Sequence, residues 1–105
     1  MADFKNITVA ELPALMADGN VQLIDVRTDA ETARGRIKGA TSLPLHLLPL
    51  RLSELDAQKT TVFYCQMGGR SAQAAAFAAA QGMQRVANLQ GGIMAWAQSG
   101  GEIVA

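Results

Sequence analysis

Thr60-Thr61-Val62-Phe63-Tyr64-Cys65-Gln66-Met67-Gly68-Gly69-Arg70-Ser71 and the alanine-rich run that follows to Gln81 carry three signals without a spare residue between them. Residues 60–65 are β-branched or aromatic up to a thiol, which predicts a central strand ending on Cys65. Gly68-Gly69 marks a tight turn. From Ser71 to Gln81 seven alanines surround Phe77, which predicts a helix whose small side chains let it lie close against a sheet, with Gly82 ending it. Strand, turn and helix in direct succession form the repeating unit of a layered α/β structure.

The same alternation runs outward in both directions. Val21 to Arg27 is mostly apolar and β-branched and reads as a buried strand with Asp25 and Arg27 at its C-terminal end. Thr28 or Asp29 caps a short helix to about Ala33, Gly35 to Gly39 is a tight connection, and Ala40 to Leu43 is a strand stopped by Pro44. The leucine-dense stretch Leu45 to Leu52, interrupted by Pro49, suits helical turns packed on the sheet. Nearer the start, Thr8 and Glu11 fit a capping box opening a helix to about Ala17, with Gly19 past its end. Beyond Gly82, Gln84 to Leu89 reads as a strand, Gly91-Gly92 as a turn and Ile93 to Gln98 as a helix holding Trp96, closed by Gly100-Gly101. Short connections throughout predict a mostly parallel sheet with helices on both faces. Such sheets bind ligands beyond the carboxyl ends of their strands, where Cys65 falls.

Composition bounds the function. The chain has 105 residues, half of them apolar and 17% charged, enough for one domain over residues 1–105 with its own core and outside the disordered class. Met1 to Asn6 shows no secretory pattern, and the apolar runs are too short for a membrane span. A formal net charge of zero argues against nucleic acid as a partner. One cysteine makes neither an internal disulfide nor a multi-thiolate metal site, so a reducing cytoplasm is expected, with no metal and no membrane association. The charges are uneven, however. Residues 1–56 carry a net charge of −2 and residues 57–105 a net +2, with no carboxylate side chain between Asp56 and Glu102.

Cys65 is therefore either small apolar filler or a nucleophile, and the residues after it favour the nucleophile. Peptide N–H groups in a turn such as Gln66-Met67-Gly68-Gly69-Arg70-Ser71 converge on one point, and both glycines are expected to supply dihedrals that a Cβ resists. The start of the next helix adds its positive dipole end, and Arg70 adds a charge. A thiol there is expected to ionise more easily than a free cysteine, as the catalytic group of a site whose candidate substrate-binding residues are Gln66, Met67, Gly68, Gly69, Arg70 and Ser71.

On these residues the chain resembles the rhodanese family of sulfurtransferases. Leu23-Ile24-Asp25-Val26-Arg27 with Glu31, then Gly35 to Ala40 and Pro44, is similar to the first signature of that family; Cys65 to Ser71 is similar to its active-site loop; and Leu89-Gln90-Gly91-Gly92-Ile93 with Trp96 is similar to its C-terminal signature. The resemblance implies a three-layer α/β/α fold on a central five-stranded, mostly parallel sheet. It also implies transfer of sulfane sulfur through a Cys65 persulfide, with no organic cofactor, between small sulfur-containing anions or thiols or small sulfur-carrier proteins. Two departures stand out. Arg36 occupies a place commonly held by histidine, and His46, the only histidine, is not its replacement. Gln66 follows the cysteine where arginine is often found, which moves the expected donor from thiosulfate towards a low-molecular-weight or protein persulfide. The alternatives are a catalytically silent rhodanese-like binding module and a cysteine-dependent phosphatase of related fold. The phosphatase loop has five residues between cysteine and arginine, one more than separate Cys65 from Arg70.

Overall fold

The computed structural model describes residues 3–105; Met1 and Ala2, on which part of the N-terminal reading falls, lie outside them. In chain order the elements are strand β1 (Lys5–Ile7), helix α1 (Leu12–Ala17), β2 (Val21–Asp25), α2 (Asp29–Ala33), β3 (Arg36–Ile37) and β4 (Thr41–Ser42). There follow α3 (Leu48–Arg51) between two 3₁₀ turns, β5 (Thr60–Tyr64), α4 (Gly69–Ala80), β6 (Val86–Leu89), α5 (Gly92–Gln98) and β7 (Ile103–Val104). The central sheet has five strands in the order β1-β6-β5-β2-β4, and every pairing in it is parallel. Among the described residues, no helix is long and apolar enough to cross a membrane.

The two-residue period of the strands sorts their side chains between two cores. Phe63 and Cys65 join Ile24, Val26, Ala74, Ala75 and Ala78 on the side of α3 and α4. Val62 and Tyr64 join Leu23, Leu12, Leu89 and Ile93 on the side of α1 and α5. Ala74, Ala75 and Ala78 of α4 are fully buried, so this small-residue face is what brings the helix against the sheet.

Some boundaries differ from the sequence reading. The helix expected from Thr8 begins at Leu12, and only half of its capping box forms, with Thr8 N–H donating to Glu11 Oε1 at 3.0 Å. Pro13 is the cause, because a residue without an N–H and with its φ fixed fits only the first turn of a helix. The second box, Thr28 with Glu31, forms completely at the start of α2. Gly35 to Gly39 is more than a connection: Arg36 and Ile37 pair antiparallel with Val104 and Ile103 in a small second sheet.

Candidate active site

Cys65 follows the last residue of β5, and its sulfur faces the first turn of α4. It accepts hydrogen bonds from the amide of Gly68 at 3.1 Å and the amide of Ser71 at 3.4 Å, and the hydroxyl of Ser71 lies within donating distance at 3.3 Å. Burial pushes the thiol up, but the Ser71 hydroxyl together with the Ser71, Gly68 and Met67 amides outweighs it and holds the thiol below its ordinary value. Away from bulk water these donors act more strongly on a charge than they would on an exposed loop. The expected result is a midpoint clearly below about 8.5 in the pH dependence of iodoacetamide alkylation. A midpoint at or above that value would mean that burial prevails over the donors.

The glycines divide the work differently from the expectation. Gly68 has φ +110°, which a Cβ resists, and from there it directs its N–H to the sulfur. Gly69 has no such dihedral, and a Cβ added to it meets nothing within 4 Å, so the conformational demand on the turn rests on Gly68 alone. The second special glycine lies elsewhere. Gly92, at φ +60°, packs so tightly under the loop that an added Cβ would strike the carbonyls of Cys65 and Gln66. Those carbonyls accept from Ile93 N–H at 3.0 Å and Met94 N–H at 3.1 Å, so the first turn of α5 is the floor on which the loop stands.

Arg70 does not touch the sulfur. Its guanidinium forms a fork-to-fork pair with Glu31 on α2, Nη1 to Oε1 at 2.7 Å and Nη2 to Oε2 at 2.9 Å. The carboxylate-free stretch around Cys65 is thus completed by an acid from the other half of the chain. Hydrogen bonding to Arg70 pulls the Glu31 carboxyl down from 4.5 to about 2. A lowered folded-state pKa stabilises the fold fully above the ordinary carboxyl value of 4.5, and this contribution is lost progressively as the pH falls from there through about 2. Both partners are about one-third exposed, which limits the pair to roughly 1 kcal/mol.

The remaining candidates surround this centre. Gln66 lines a depression of about 600 Å³ with Arg27, Glu31, Arg34 and Met94. The Met67 side chain is 66% exposed at the loop tip. His46 lines a smaller hollow of about 250 Å³ with Arg70, Val26 and Leu45, apart from the donors of the sulfur.

Two buried groups were missed in the sequence. Asn88 on β6 accepts from the Ser71 hydroxyl, and its only sequence signal is a polar residue inside Val86-Ala87-Asn88-Leu89. Tyr64 turns to the opposite face, where its hydroxyl donates to Asp25 Oδ2 at 2.8 Å and accepts from the Ile37 amide at 3.1 Å. Burial pushes this phenol far up, so it stays protonated as a structural donor. Asp25 also holds Arg27, Nη2 to Oδ2 at 2.7 Å, while Arg27 Nη2 donates to the Gly35 carbonyl at 2.7 Å.

A thiol ringed by loop amides at a strand end, over a five-stranded parallel sheet, is the arrangement of the rhodanese-like domain, and the model of that family matches residues 8–99. The chain belongs to this family. It is 51% identical over 86 residues to a sulfurtransferase of Allochromatium vinosum, covering 82% of this chain and 80% of that one. A human thiosulfate:glutathione sulfurtransferase is 34% identical over 110 residues, with 91% of this chain and 96% of the human one covered. Among solved structures, a rhodanese-like domain protein from Staphylococcus aureus superposes with a TM-score of 0.84 at 35% identity, covering 97% of this chain and all of that one.

Proposed function

We propose that the chain is a sulfurtransferase that moves sulfane sulfur through a persulfide on Cys65. The Cys65 thiolate attacks the outer sulfur of thiosulfate or of a persulfide; the donor S–S bond breaks, and its electron pair leaves with sulfite or with the donor thiolate. An acceptor thiolate then attacks the terminal sulfur of the Cys65 persulfide and leaves carrying it, which restores the Cys65 thiolate. No net oxidation occurs across the cycle, and neither step calls for a metal or an organic cofactor. The donor set on Cys65 Sγ is the observation that supports this reading, because it favours the thiolate in the first step and again as leaving group in the second. Intact mass after incubation with thiosulfate, glutathione persulfide or polysulfide tests it. The expected change is the gain of one sulfur atom, removed by reductant; an unchanged mass with all three donors would leave a binding module instead.

The donor we favour is a low-molecular-weight or protein persulfide. Gln66 supplies no charge beside the cysteine, and Arg70 is already engaged by Glu31, so a small dianion finds little uncompensated positive charge at the loop. Small sulfur-carrier proteins fit as partners on the same ground, since a protein donor brings its own docking contacts. Glu31→Gln tests the point. Glutamine preserves the capping box of α2 but releases Arg70 from its charge partner. Thiosulfate kcat/KM is expected to rise roughly fivefold at low ionic strength and less at high salt, with little change for an uncharged donor. An unchanged thiosulfate efficiency at low salt would remove Glu31 from the control of donor choice.

A further inference from the structure

Ser71 has one hydroxyl proton and faces two acceptors. Its Oγ lies 3.3 Å from Cys65 Sγ and 2.5 Å from Asn88 Oδ1, and one hydroxyl proton serves one of them well at a time. All three residues are buried. Asn88 in turn donates from Nδ2 to Asn6 Oδ1 at 3.0 Å. Asn6 and Asn88 are in-register partners on the neighbouring parallel strands β1 and β6, which holds their carboxamides on one face of the sheet. In this arrangement the shorter bond draws the Ser71 proton away from the sulfur. When both carboxamides turn over, Asn88 offers Nδ2 to Ser71 Oγ and Asn6 offers Nδ2 to Asn88 Oδ1. Each link then survives with its direction reversed, and the Ser71 proton is released to Cys65.

We propose that Asn88 is a positioning residue for the nucleophile: its carboxamide, set by Asn6, decides whether the Ser71 hydroxyl donates to the Cys65 sulfur or away from it. The neutral thiol goes with the first orientation. The thiolate selects the second, because a hydrogen bond to an anion is the stronger one. The ionisable groups around Cys65 are Arg70 on α4 and Glu31 on α2, closed on each other, the Asp25–Arg27 pair at the end of β2, and His46 in the hollow shared with Arg70. Neither β6 nor α5 carries an ionisable side chain. The inference concerns ionisation of Cys65 alone and is independent of which sulfur donor or acceptor the protein uses.

The test is the pH midpoint of Cys65 alkylation by iodoacetamide in the intact chain. An aspartate at exposed position 6 only accepts, so Asn6→Asp pins Asn88 Nδ2 towards β1 and Oδ1 towards Ser71. The midpoint is expected to rise by about one unit, a tenfold loss of thiolate at a given pH below it, and to rise further in Asn88→Asp. In a Ser71→Ala background both shifts are expected to fall to less than half, since the proton that carries the coupling is gone. A role confined to stability would move the thermal midpoint and leave the alkylation midpoint in place. Should Asn88→Asp not fold, Asn6→Asp with and without the Ser71 hydroxyl decides the matter. Equal shifts in the two backgrounds would show a carboxylate acting by charge alone, and no shift in Asn6→Asp would show no coupling; either result overturns the proposal.

Discussion

Cys65→Ser is expected to abolish sulfur loading on mass analysis and to lower sulfur transfer by at least about a thousandfold, because the covalent carrier is removed rather than weakened. Cys65 is the only thiol in the chain, so no second cysteine can take over. Serine keeps the size of the side chain, and its oxygen accepts from the same Gly68 and Ser71 donors, so the change in stability is expected to stay within about 1 kcal/mol. A hydroxyl neither ionises in this environment near neutral pH nor forms a persulfide. The measurement is intact mass after exposure to a persulfide donor, read beside the thermal unfolding midpoint. A sulfur atom still gained by a folded Cys65→Ser protein would place the acceptor elsewhere and sink the proposed mechanism.

The strand, cysteine, turn and helix that make this prediction possible were legible because each is specified by its own residues. Thr60 to Tyr64 is β-branched and aromatic and forms the buried strand those residues favour, and Ala74, Ala75 and Ala78 of α4 form its close-packed helical face. The β-branched, mostly apolar run Val21 to Arg27, the stop at Pro44 and the residues from Gln84 to Leu89 likewise located β2, β4 and β6 to within a few residues. The strands that escaped notice are short and depend on partners far along the chain. Lys5–Ile7 has a single buried residue and is held by Val86–Leu89, while Arg36–Ile37 becomes a strand only against Ile103–Val104.

Within the site, the same division separates what was read from what was not. The donors of the loop follow from its backbone and so from Gly68 and the helix start, which lie in the local sequence. The partner of Arg70 does not. Glu31 lies on another helix, and only the approach of α2 to α4 turns Arg70 from a free charge into half of a pair. Gly92 carries a similar lesson: its turn signal was plain, yet its use as the floor of the cysteine loop requires knowing that α5 begins beneath Cys65 and Gln66.

Asp25→Ala is expected to cost about 3–5 kcal/mol, the largest loss of stability among the changes considered, although Asp25 makes no contact with the sulfur. Asp25 is fully buried, and the Arg27 side chain is 5% exposed, so removing the carboxylate leaves a guanidinium with neither solvent nor countercharge. The Tyr64 and Thr32 hydroxyls lose their acceptor in the same step. For a chain of this size the expected fall in melting temperature is on the order of 15 °C. The damage should come chiefly from the stranded charge. Combining Asp25→Ala with Arg27→Leu is therefore expected to cost at least about 1 kcal/mol less than the sum of the two single changes. Sulfur loading, measured well below the lowered melting temperature, is expected to persist, since the Cys65 loop rests on α5 rather than on this cluster. Urea and thermal unfolding of the two single variants and the double variant decide the energetic claim. A loss below about 1 kcal/mol for Asp25→Ala, or additivity in the double variant, would show that the pair is not what closes this end of the sheet.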